Sequence, residues 1–340
     1  MTPGPYFDDL TVGQVFRGAP ALTLTEAHAV THQAIVGDRL RLALDHRLSA
    51  EVTGAGPVAH PALVWDVAIG QSTIATQRVK ANLFYRGLVF RRLPQIGDTL
   101  HTSTEVVGLR RNRARAGRAP TGLAVLLVST ADQSRRPVLA FWRCAMLPLR
   151  DEPSSVAPDM APDMAPDRAP DMDLDHIGEP ADPGALRAVT AGWRLDRFRD
   201  RVPGQHFGAV LPGREWVIDG GDVVSSAPEL ARVTLNVAMV HHDAGAAGGR
   251  RLVYGGHTIG IALAQASRAL PNIVTVAGWH GCDHLAPVSE GDTLHSRLAV
   301  ERTEPLEDGG LVHLRSRVRA VAEDGAERDV LDWRFVAVMA

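Results

Sequence analysis

The chain has only two cysteines and a single lysine, and it has no long apolar run. Cys144 and Cys282 are far apart in the sequence and in no metal-ligand spacing, which predicts reduced, buried thiols rather than a disulfide. No stretch approaches the roughly 20 apolar residues of a membrane helix. The first residues, MTPGPYFDDLTVG, also lack the basic and apolar parts of a secretory signal. We therefore expect a cytoplasmic protein with no membrane partner.

Basic residues are numerous, but they are not concentrated in one segment. The 340 residues include 36 basic and 39 acidic side chains, which give a net charge of -3. A nucleic-acid-binding surface requires a concentrated basic face, so we expect no nucleic-acid partner. A hydrophobic content of 45% with 22% charged residues is typical of a folded globular protein, here long enough for two domains.

One segment differs sharply in composition from the rest of the chain. Residues 157–172 form APDMAPDMAPDRAPDM, in which every four-residue unit contains proline and aspartate. Proline removes a backbone donor and neighbouring aspartates repel one another, so such a segment does not build a packed core. We interpret residues 151–190 as an acidic, proline-rich linker. It would separate an N-terminal domain, residues 1–150, from a C-terminal domain, residues 191–340.

The sequences on the two sides of this linker resemble each other. FDDLTVGQVF, residues 7–16, shares five identical positions with FRDRVPGQHF, which begins 191 residues later. GDTLHTS from Gly97 matches GDTLHSR from Gly291, and FWRCAML in the first half parallels DWRFVAV near the C-terminus. Three matches in the same order indicate a duplicated domain.

Each half combines one long apolar helix with several alternating strands. The predicted helices are PALVWDVAIGQSTI from Pro61 and GHTIGIALAQASRAL from Gly256. In the second half, TVAGWHGCDHL, TLHSRLAVERTE, LVHLRSRVRAVA and VLDWRFVAVM alternate with a period of two, which is typical of antiparallel strands. A sheet wrapped round one central helix fits this pattern. We predict an α+β chain with two tandem hotdog domains, a double hotdog.

The most specific signal is NVAMVHHD from Asn236, followed after a short loop by RLVYGGHTIG. It resembles the MaoC-like (R)-specific enoyl-CoA hydratases, whose motif has an acidic residue, His five positions later and Asp seven positions later. Those positions are Asn236, His241 and Asp243 here. Within that family the chain most resembles the two-domain hydratases of mesaconyl-CoA. The residues that carry this likeness are GDR, VKANLFY, PQIGDTLHTSTEVVGL, NVAMVHHD, RLVYGGHTIG and HLAPVSEGDTL.

The resemblance implies reversible hydration of a short, branched, carboxylated enoyl-CoA, from mesaconyl-CoA to β-methylmalyl-CoA, without a cofactor or metal. Such a reaction needs a group that moves the proton of water and donors for the thioester oxygen, which gains negative charge. His241 suits the first task because histidine titrates near neutrality. Gly255 and Gly256 begin the second-half helix, where backbone N–H groups are free to donate.

The acidic residue of the family motif is missing, because Asn236 occupies its position. An amide cannot act as a base, although it can hold a water molecule. Either His241 moves the proton while Asn236 holds the water, or another carboxylate takes part. Asp38 occupies the matching place in the first half, but Ala43 follows it five residues later. We expect separate pseudo-equivalent sites, with a catalytic second half and a first half that shapes the pocket.

Four residues are candidates for substrate binding: Asp38, Asp243, Arg251 and His257. Asp243 either supports His241 or caps the following loop, and His257 either contacts an acyl carboxylate or caps the helix. Arg251 is the arginine we expect to grip a carboxylate or phosphate, since guanidinium binds planar anions with two hydrogen bonds. We predict a structural role for the Asp283–His284 pair, because strand neighbours face opposite sides and no third metal ligand is suitably spaced.

Three other functions stay open at this stage. A longer apolar acyl tunnel would indicate a general (R)-3-hydroxyacyl-CoA dehydratase or enoyl-CoA hydratase. Thioester hydrolysis would need a carboxylate near a helix start, and Asp66 in the first predicted helix is the candidate. Loss of the motif carboxylate at Asn236 is also what a non-catalytic acyl-CoA-binding module would show. The resemblance to multimeric hotdog enzymes favours a homodimer, although two joined halves already satisfy the usual pairing.

Overall fold

The computed structural model describes residues 4–113, 117, 119–150 and 181–340. The first half contains helices α1 (Glu26–Val36), α2 (Arg41–Leu44), α3 (His46–Thr53) and α4 (Pro61–Ser72) and strands β1 (Val15–Phe16), β2 (Leu22–Thr23), β3 (Ala81–Phe90), β4 (Thr99–Arg111), β5 (Thr121–Ala131) and β6 (Pro137–Pro148). The second half contains helices α5 (Pro183–Ala188), α6 (Leu195–Arg201), α7 (Ala227–Val233) and α8 (Gly255–Ala269) and strands β7 (Glu215–Val217), β8 (Asp222–Val223), β9 (Ile273–His284), β10 (Thr293–Leu306), β11 (Gly309–Val321) and β12 (Glu327–Met339).

The predicted linker falls partly within the described residues. Its repeat, residues 157–172, and all of residues 151–180 lie outside them. Helix α5 forms within the remaining part, where the Asp182 side chain accepts a hydrogen bond from the Gly184 N–H at 2.9 Å. Ala185 and Leu186 of this helix are buried in the core. The end of the predicted linker is therefore packed structure.

All long strands belong to one antiparallel sheet that runs through both halves. The strand order is β1-β4-β5-β6-β3-β9-β12-β11-β10-β7, with β2 paired to β4 and β8 paired to β10. At the centre, β3 pairs with β9, so that Phe84 lies opposite Asp283 and Leu88 lies opposite Trp279. This pairing joins the halves edge to edge and confirms the predicted double hotdog.

Helices α4 and α8 are the central helices around which the sheet wraps. Every residue of α4 is buried, and such a helix, apolar on nearly all sides, belongs in a core. Trp65 of α4 packs edge to face against Trp279 of β9, with ring centroids 4.7 Å apart. Trp333 of β12 lies 6.2 Å from Trp65 in the same arrangement. The first-half helix is thus held against the second-half sheet.

Glycine at position 70 allows α4 to touch the second half closely. A Cβ on Gly70 would lie 1.8 Å from the backbone oxygen of Thr234, so no other residue fits without a shift of the chain. Beside this contact, the Val237 N–H donates to the Thr73 hydroxyl at 2.9 Å. The Met239 N–H also donates to the Gln77 oxygen at 2.8 Å. First-half backbone therefore supports the segment that carries the motif from Asn236.

Two predictions, one based on the two distant cysteines and one on the lack of a long apolar run, can be compared with the structure. Both cysteines are free and buried, and burial raises the pKa of the Cys144 thiol to about 11, which keeps it protonated at neutral pH. Within the described part of the chain, no helix has both the length and the apolar character needed to cross a membrane.

Candidate active site

A cavity of about 310 Å³ lies where the two halves meet. Its walls include Asn236, His241 and Gly255 of the second half, and Lys80 and Arg143 of the first half. None of the described residues that line it is acidic. The structure therefore places three of the four predicted catalytic residues around one cavity and supplies no carboxylate to replace the missing motif residue.

His241 has one ring nitrogen fixed and the other free. Its Nδ1 lies 2.8 Å from the Leu252 carbonyl oxygen, which only accepts, so Nδ1 carries the proton and donates. The Nε2 atom then has a lone pair, and among the described residues it has no hydrogen-bond partner. Burial lowers the pKa of His241 to about 4, with smaller contributions from His242 and Arg143. His241 is thus neutral at pH 7 and able to accept a proton.

Asn236 has an unused donor in the same cavity. Its Oδ1 accepts a hydrogen bond from the Ala238 N–H at 3.0 Å, which identifies the other terminal atom as the amide nitrogen. That Nδ2 atom is buried and has no partner within the described residues. The His242 ring donates from Nε2 to the Asn236 backbone oxygen at 2.7 Å, so His242 holds the loop in place. Asn236, a residue of the cavity wall, therefore keeps an amide donor without a partner among the described residues.

The start of α8 forms another part of the wall. Among the described residues, neither the Gly255 nor the Gly256 amide has an acceptor, as expected for the first turn of a helix. A Cβ on Gly255 would lie 2.7 Å from Nε2 of His284. A Cβ on Gly256 would lie 2.1 Å from Oδ1 of Asp66 and 2.5 Å from the Tyr254 ring. Both glycines are needed for close packing at the cavity.

None of the four candidates for substrate binding lines this cavity, although three of them are close in sequence to residues that do. Asp243 is exposed and caps a turn by accepting from the Gly245 N–H at 2.8 Å. Arg251 is 42% exposed and pairs with Glu290 at 2.6 Å. His257 is fully buried, and neither ring nitrogen has a partner among the described residues. Burial lowers the pKa of His257 to about 4, so it is a neutral core residue.

Asp38, the fourth candidate, lies at a separate place in the first half. It lines a cleft of about 850 Å³ that shares no residue with the cavity around His241. Its Oδ2 lies 2.7 Å from Nε2 of His60 and accepts from the Leu40 N–H at 2.8 Å. His60 Nδ1 accepts from the Ala62 N–H, so Nε2 is the protonated nitrogen that faces Asp38. The first half thus has a buried Asp–His pair that the motif spacing did not predict.

Asp66, the candidate for thioester hydrolysis, is fully buried behind the cavity wall. It accepts a hydrogen bond from the Tyr254 hydroxyl at 3.1 Å and lies 3.0 Å from Nε2 of His32. Burial raises the pKa of Asp66, although these partners oppose the shift. Asp66 does not line the cavity, and its contacts join α4 to the tyrosine just before α8.

His284 is a cavity residue that the sequence did not identify. It ends β9, and its buried Nε2 has no partner in the described part of the chain. Burial lowers the pKa of His284 to about 4, with a smaller effect from Arg143. The strand alternation that favoured a structural role does hold, because Asp283 points elsewhere and pairs with Arg86. That alternation, however, turns His284 into the cavity.

Arg143 of β6 is the other cavity residue that sequence reasoning missed. It is only 2% exposed, and its guanidinium donates to the Ser72 hydroxyl at 2.7 Å and to Oδ1 of Asn82 at 3.1 Å. Its position in FWRCAML was visible only as part of the repeat. No local pattern indicated that this arginine would face inward.

Comparison with known proteins supports the double-hotdog architecture. No family model matches the chain. The chain is 56% identical to a conserved hypothetical protein from Mycobacterium tuberculosis that has a double hotdog fold; the match covers 99% of both chains with a TM-score of 0.89. A putative MaoC domain protein dehydratase from Chloroflexus aurantiacus is 22% identical, with a TM-score of 0.81 over 100% of this chain and 98% of that chain. The second likeness concerns the fold alone.

Two curated proteins with named activities are also similar. The β-methylmalyl-CoA dehydratase of Chloroflexus aurantiacus is 27% identical over 302 residues, which cover 86% of this chain and 81% of the relative. The mesaconyl-CoA hydratase of Cereibacter sphaeroides is 26% identical over 339 residues, which cover 94% of this chain and 89% of the relative. Both names describe hydration or dehydration of a CoA thioester.

Proposed function

We propose that this double-hotdog chain is a member of the MaoC-like CoA-thioester hydratases and dehydratases and that it hydrates mesaconyl-CoA reversibly to β-methylmalyl-CoA. One observation carries the proposal. His241 and Asn236 line the same cavity at the start of a helix, and among the described residues neither His241 Nε2 nor Asn236 Nδ2 has a hydrogen-bond partner. A proton acceptor and a hydrogen-bond donor of this kind together hold and activate a water molecule.

In the proposed reaction, water lies between Asn236 and His241. The Nδ2–H of Asn236 donates to the water oxygen, and one water O–H donates to Nε2 of His241. As that oxygen bonds to the β-carbon, Nε2 takes the proton and the electrons of the double bond move into the thioester to form an enolate. The imidazolium then gives the proton to the α-carbon. Water has been added across the double bond, and His241 is neutral again.

The enolate oxygen needs hydrogen-bond donors, and the start of α8 provides them. The amides of Gly255 and Gly256 have no acceptor among the described residues, and Gly255 lines the cavity. Donors aimed at an oxygen that gains charge lower the barrier, and removing one such donor costs about 3 kcal/mol in other enzymes. We propose that these two amides bind the thioester oxygen.

We propose that the first half shapes the pocket and has no catalytic group of its own. Its Asp38–His60 pair lies outside the cavity. Its Lys80, by contrast, lines the cavity and is exposed to solvent, so it is placed to meet a CoA phosphate at the entrance. The burial of Asp66 behind the wall supports hydration over thioester hydrolysis, because none of the described residues that line the cavity has a carboxylate.

The proposal is tested by the turnover of three enoyl-CoA thioesters, followed by the loss of the conjugated thioester absorbance. We expect mesaconyl-CoA to be hydrated with a higher kcat/KM than crotonyl-CoA. We expect 2-octenoyl-CoA to be the poorest substrate because the cavity has a volume of only about 310 Å³. A preference for crotonyl-CoA or 2-octenoyl-CoA would indicate a general hydratase. Binding of all three without turnover would indicate an acyl-CoA-binding module and would contradict the proposal.

A further inference from the structure

Arg143 carries a buried positive charge that the described residues do not neutralise. Its two hydrogen bonds go to Ser72 and Asn82, which are both uncharged. No carboxylate of the described residues lies within 4.0 Å of its guanidinium, and none lines the cavity. Removing an arginine from water without a counter-ion is unfavourable, so a buried arginine normally has an acidic partner.

The sequence repeat provides a comparison for this position. In the match between FWRCAML and DWRFVAV, Arg143 corresponds to Arg334. Arg334 is 45% exposed and pairs with Glu301 at 3.0 Å. Arg334 in the second half is thus solvated and paired with a carboxylate. Arg143 in the first half is buried, lines a cavity and has no carboxylate partner among the described residues. Among the described residues, Arg143 thus differs from its counterpart in the repeat because it has no counter-ion.

The location of Arg143 determines which part of a substrate it would meet. Arg143 lines the same cavity as His241 and His284, so its guanidinium belongs to the surroundings of the proposed reacting atoms. Lys80 lines the cavity and is exposed, which suits the phosphates of CoA, whereas the buried Arg143, which is 2% exposed, suits an anion on the acyl group.

We propose that Arg143 binds a carboxylate on the β-carbon side of the acyl group and so selects carboxylated enoyl-CoA substrates. The inference rests on the proposed hydratase function and identifies the residue that sets its substrate class. The first half supplies the anion-binding arginine, and the second half supplies His241 and Asn236. Arg251, which the sequence favoured for this task, is already paired with Glu290 outside the cavity.

The test compares two substrates that differ only in this charge. One is mesaconyl-CoA, and the other is 2-methylcrotonyl-CoA, in which a methyl group replaces the carboxylate. We expect Arg143→Gln to lower kcat/KM for mesaconyl-CoA by about 100-fold, because one partner of a buried charge pair is lost. The kcat/KM for 2-methylcrotonyl-CoA should change by less than about threefold, because this substrate has no carboxylate to pair. Arg143→Lys keeps the charge but loses the two parallel N–H donors of the guanidinium. Its kcat/KM for mesaconyl-CoA should lie between that of the wild type and that of Arg143→Gln. Arg334→Gln is the matched control and should leave both values unchanged.

Failure of this inference is distinguishable from failure of the hydratase proposal. Equal losses for both substrates in Arg143→Gln would overturn the inference, because Arg143 would then support the reaction itself. A wild type that prefers 2-methylcrotonyl-CoA would overturn it while leaving hydration intact.

If the wild type hydrates neither substrate, calorimetric binding of two saturated analogues still tests Arg143. Tighter binding of methylsuccinyl-CoA than of 2-methylbutyryl-CoA, with the difference lost in Arg143→Gln, would support the inference. Equal binding of the two analogues would overturn it. If Arg143→Gln does not fold, the same binding comparison is made with Arg143→Lys, and a smaller difference between the two analogues than in the wild type is expected.

Discussion

At the scale of single residues, the surroundings of His241 determine its tautomer and its charge. The Leu252 carbonyl fixes the proton on Nδ1, and burial, the main cause, lowers the pKa to about 4, with His242 and Arg143 adding to the shift. A neutral imidazole is the form that accepts a proton from water. The missing motif carboxylate at Asn236 is consistent with this arrangement, since a second base is not required.

The pH dependence of turnover follows from this lowered pKa. We expect kcat/KM to be constant from about pH 8 down to about pH 5 and to fall only towards pH 4, because the active form is deprotonated His241. The measurement is kcat/KM for uncharged crotonyl-CoA, so that a substrate carboxylate does not titrate in the same range. An acid limb centred near pH 6.5 would contradict the account.

Asn236→Ala tests the water-holding role. The substitution removes an amide donor that has no partner among the described residues, and it adds no charge. We expect kcat to fall by about 10- to 100-fold while KM changes little, since a group that acts only on the attacking water contributes to the reaction step and little to binding. A change confined to KM would show that Asn236 binds substrate instead.

The residue scale also shows what the sequence could reveal about the site. Asn236, His241 and Gly255 follow one another within a short segment, so their spacing was informative. Arg143 and His284 lie on strands from different halves, and each faces the cavity only because β3 pairs with β9. Tertiary packing brings these two side chains together, so the spacing of residues along the sequence did not indicate that they share a cavity.

At the scale of secondary structure, the strands β9 to β12 and the helices α4 and α8 agree closely with their sequence patterns, because long runs with a clear period specify their own structure. Short elements did not agree as well with their sequence patterns. Helix α5 formed in a segment that composition assigned to a linker, since burial of Ala185 and Leu186 stabilises it. Tertiary contact therefore decided this element.

Gly70→Ala tests whether α4 positions the motif segment. The added Cβ would lie 1.8 Å from the Thr234 oxygen, so the backbone leading to Asn236 must move. We expect a loss of about 1–3 kcal/mol in the free energy of unfolding, typical of overpacking, and a lower kcat. Chemical denaturation and turnover measure the two effects. Gly18→Ala is the control, since its Cβ would meet nothing within 4 Å, and an unaffected Gly70→Ala enzyme would refute the positioning role.

At the scale of the whole molecule, the cavity exists only because the two halves share one sheet. His241 and Asn236 come from one half and Arg143 from the other, so residues of both halves line the cavity. The sequence predicted duplication and a division of roles between the halves. It could not show that the two sets of side chains face one cavity. The predicted homodimer stays a prediction.

The buried neutral histidines make the stability of the whole fold depend on pH. The pKa values of His241, His257 and His284 are lowered by burial to about 4, so the unfolded chain binds more protons than the folded one between about pH 6.5 and pH 4. Stability should therefore fall as pH drops through this range, by on the order of 1–2 kcal/mol per histidine near pH 5. Asp66, whose pKa burial raises, acts in the opposite direction.

Thermal unfolding at about pH 7.5 and about pH 5 measures this effect. His257→Gln removes one such group without breaking a hydrogen bond of the described residues. We expect the difference in Tm between the two pH values to be smaller in this variant than in the wild type. An identical difference would show that His257 does not contribute.

The most direct test of the central claim is the rate of mesaconyl-CoA hydration by His241→Ala beside the wild type, with the exposed His101→Ala as a matched control. We predict that His241→Ala loses at least about 100-fold in kcat, as expected when a general acid–base is removed, while His101→Ala keeps the wild-type rate. A His241→Ala enzyme that hydrates mesaconyl-CoA at the wild-type rate would contradict the account and move the chemistry away from this cavity.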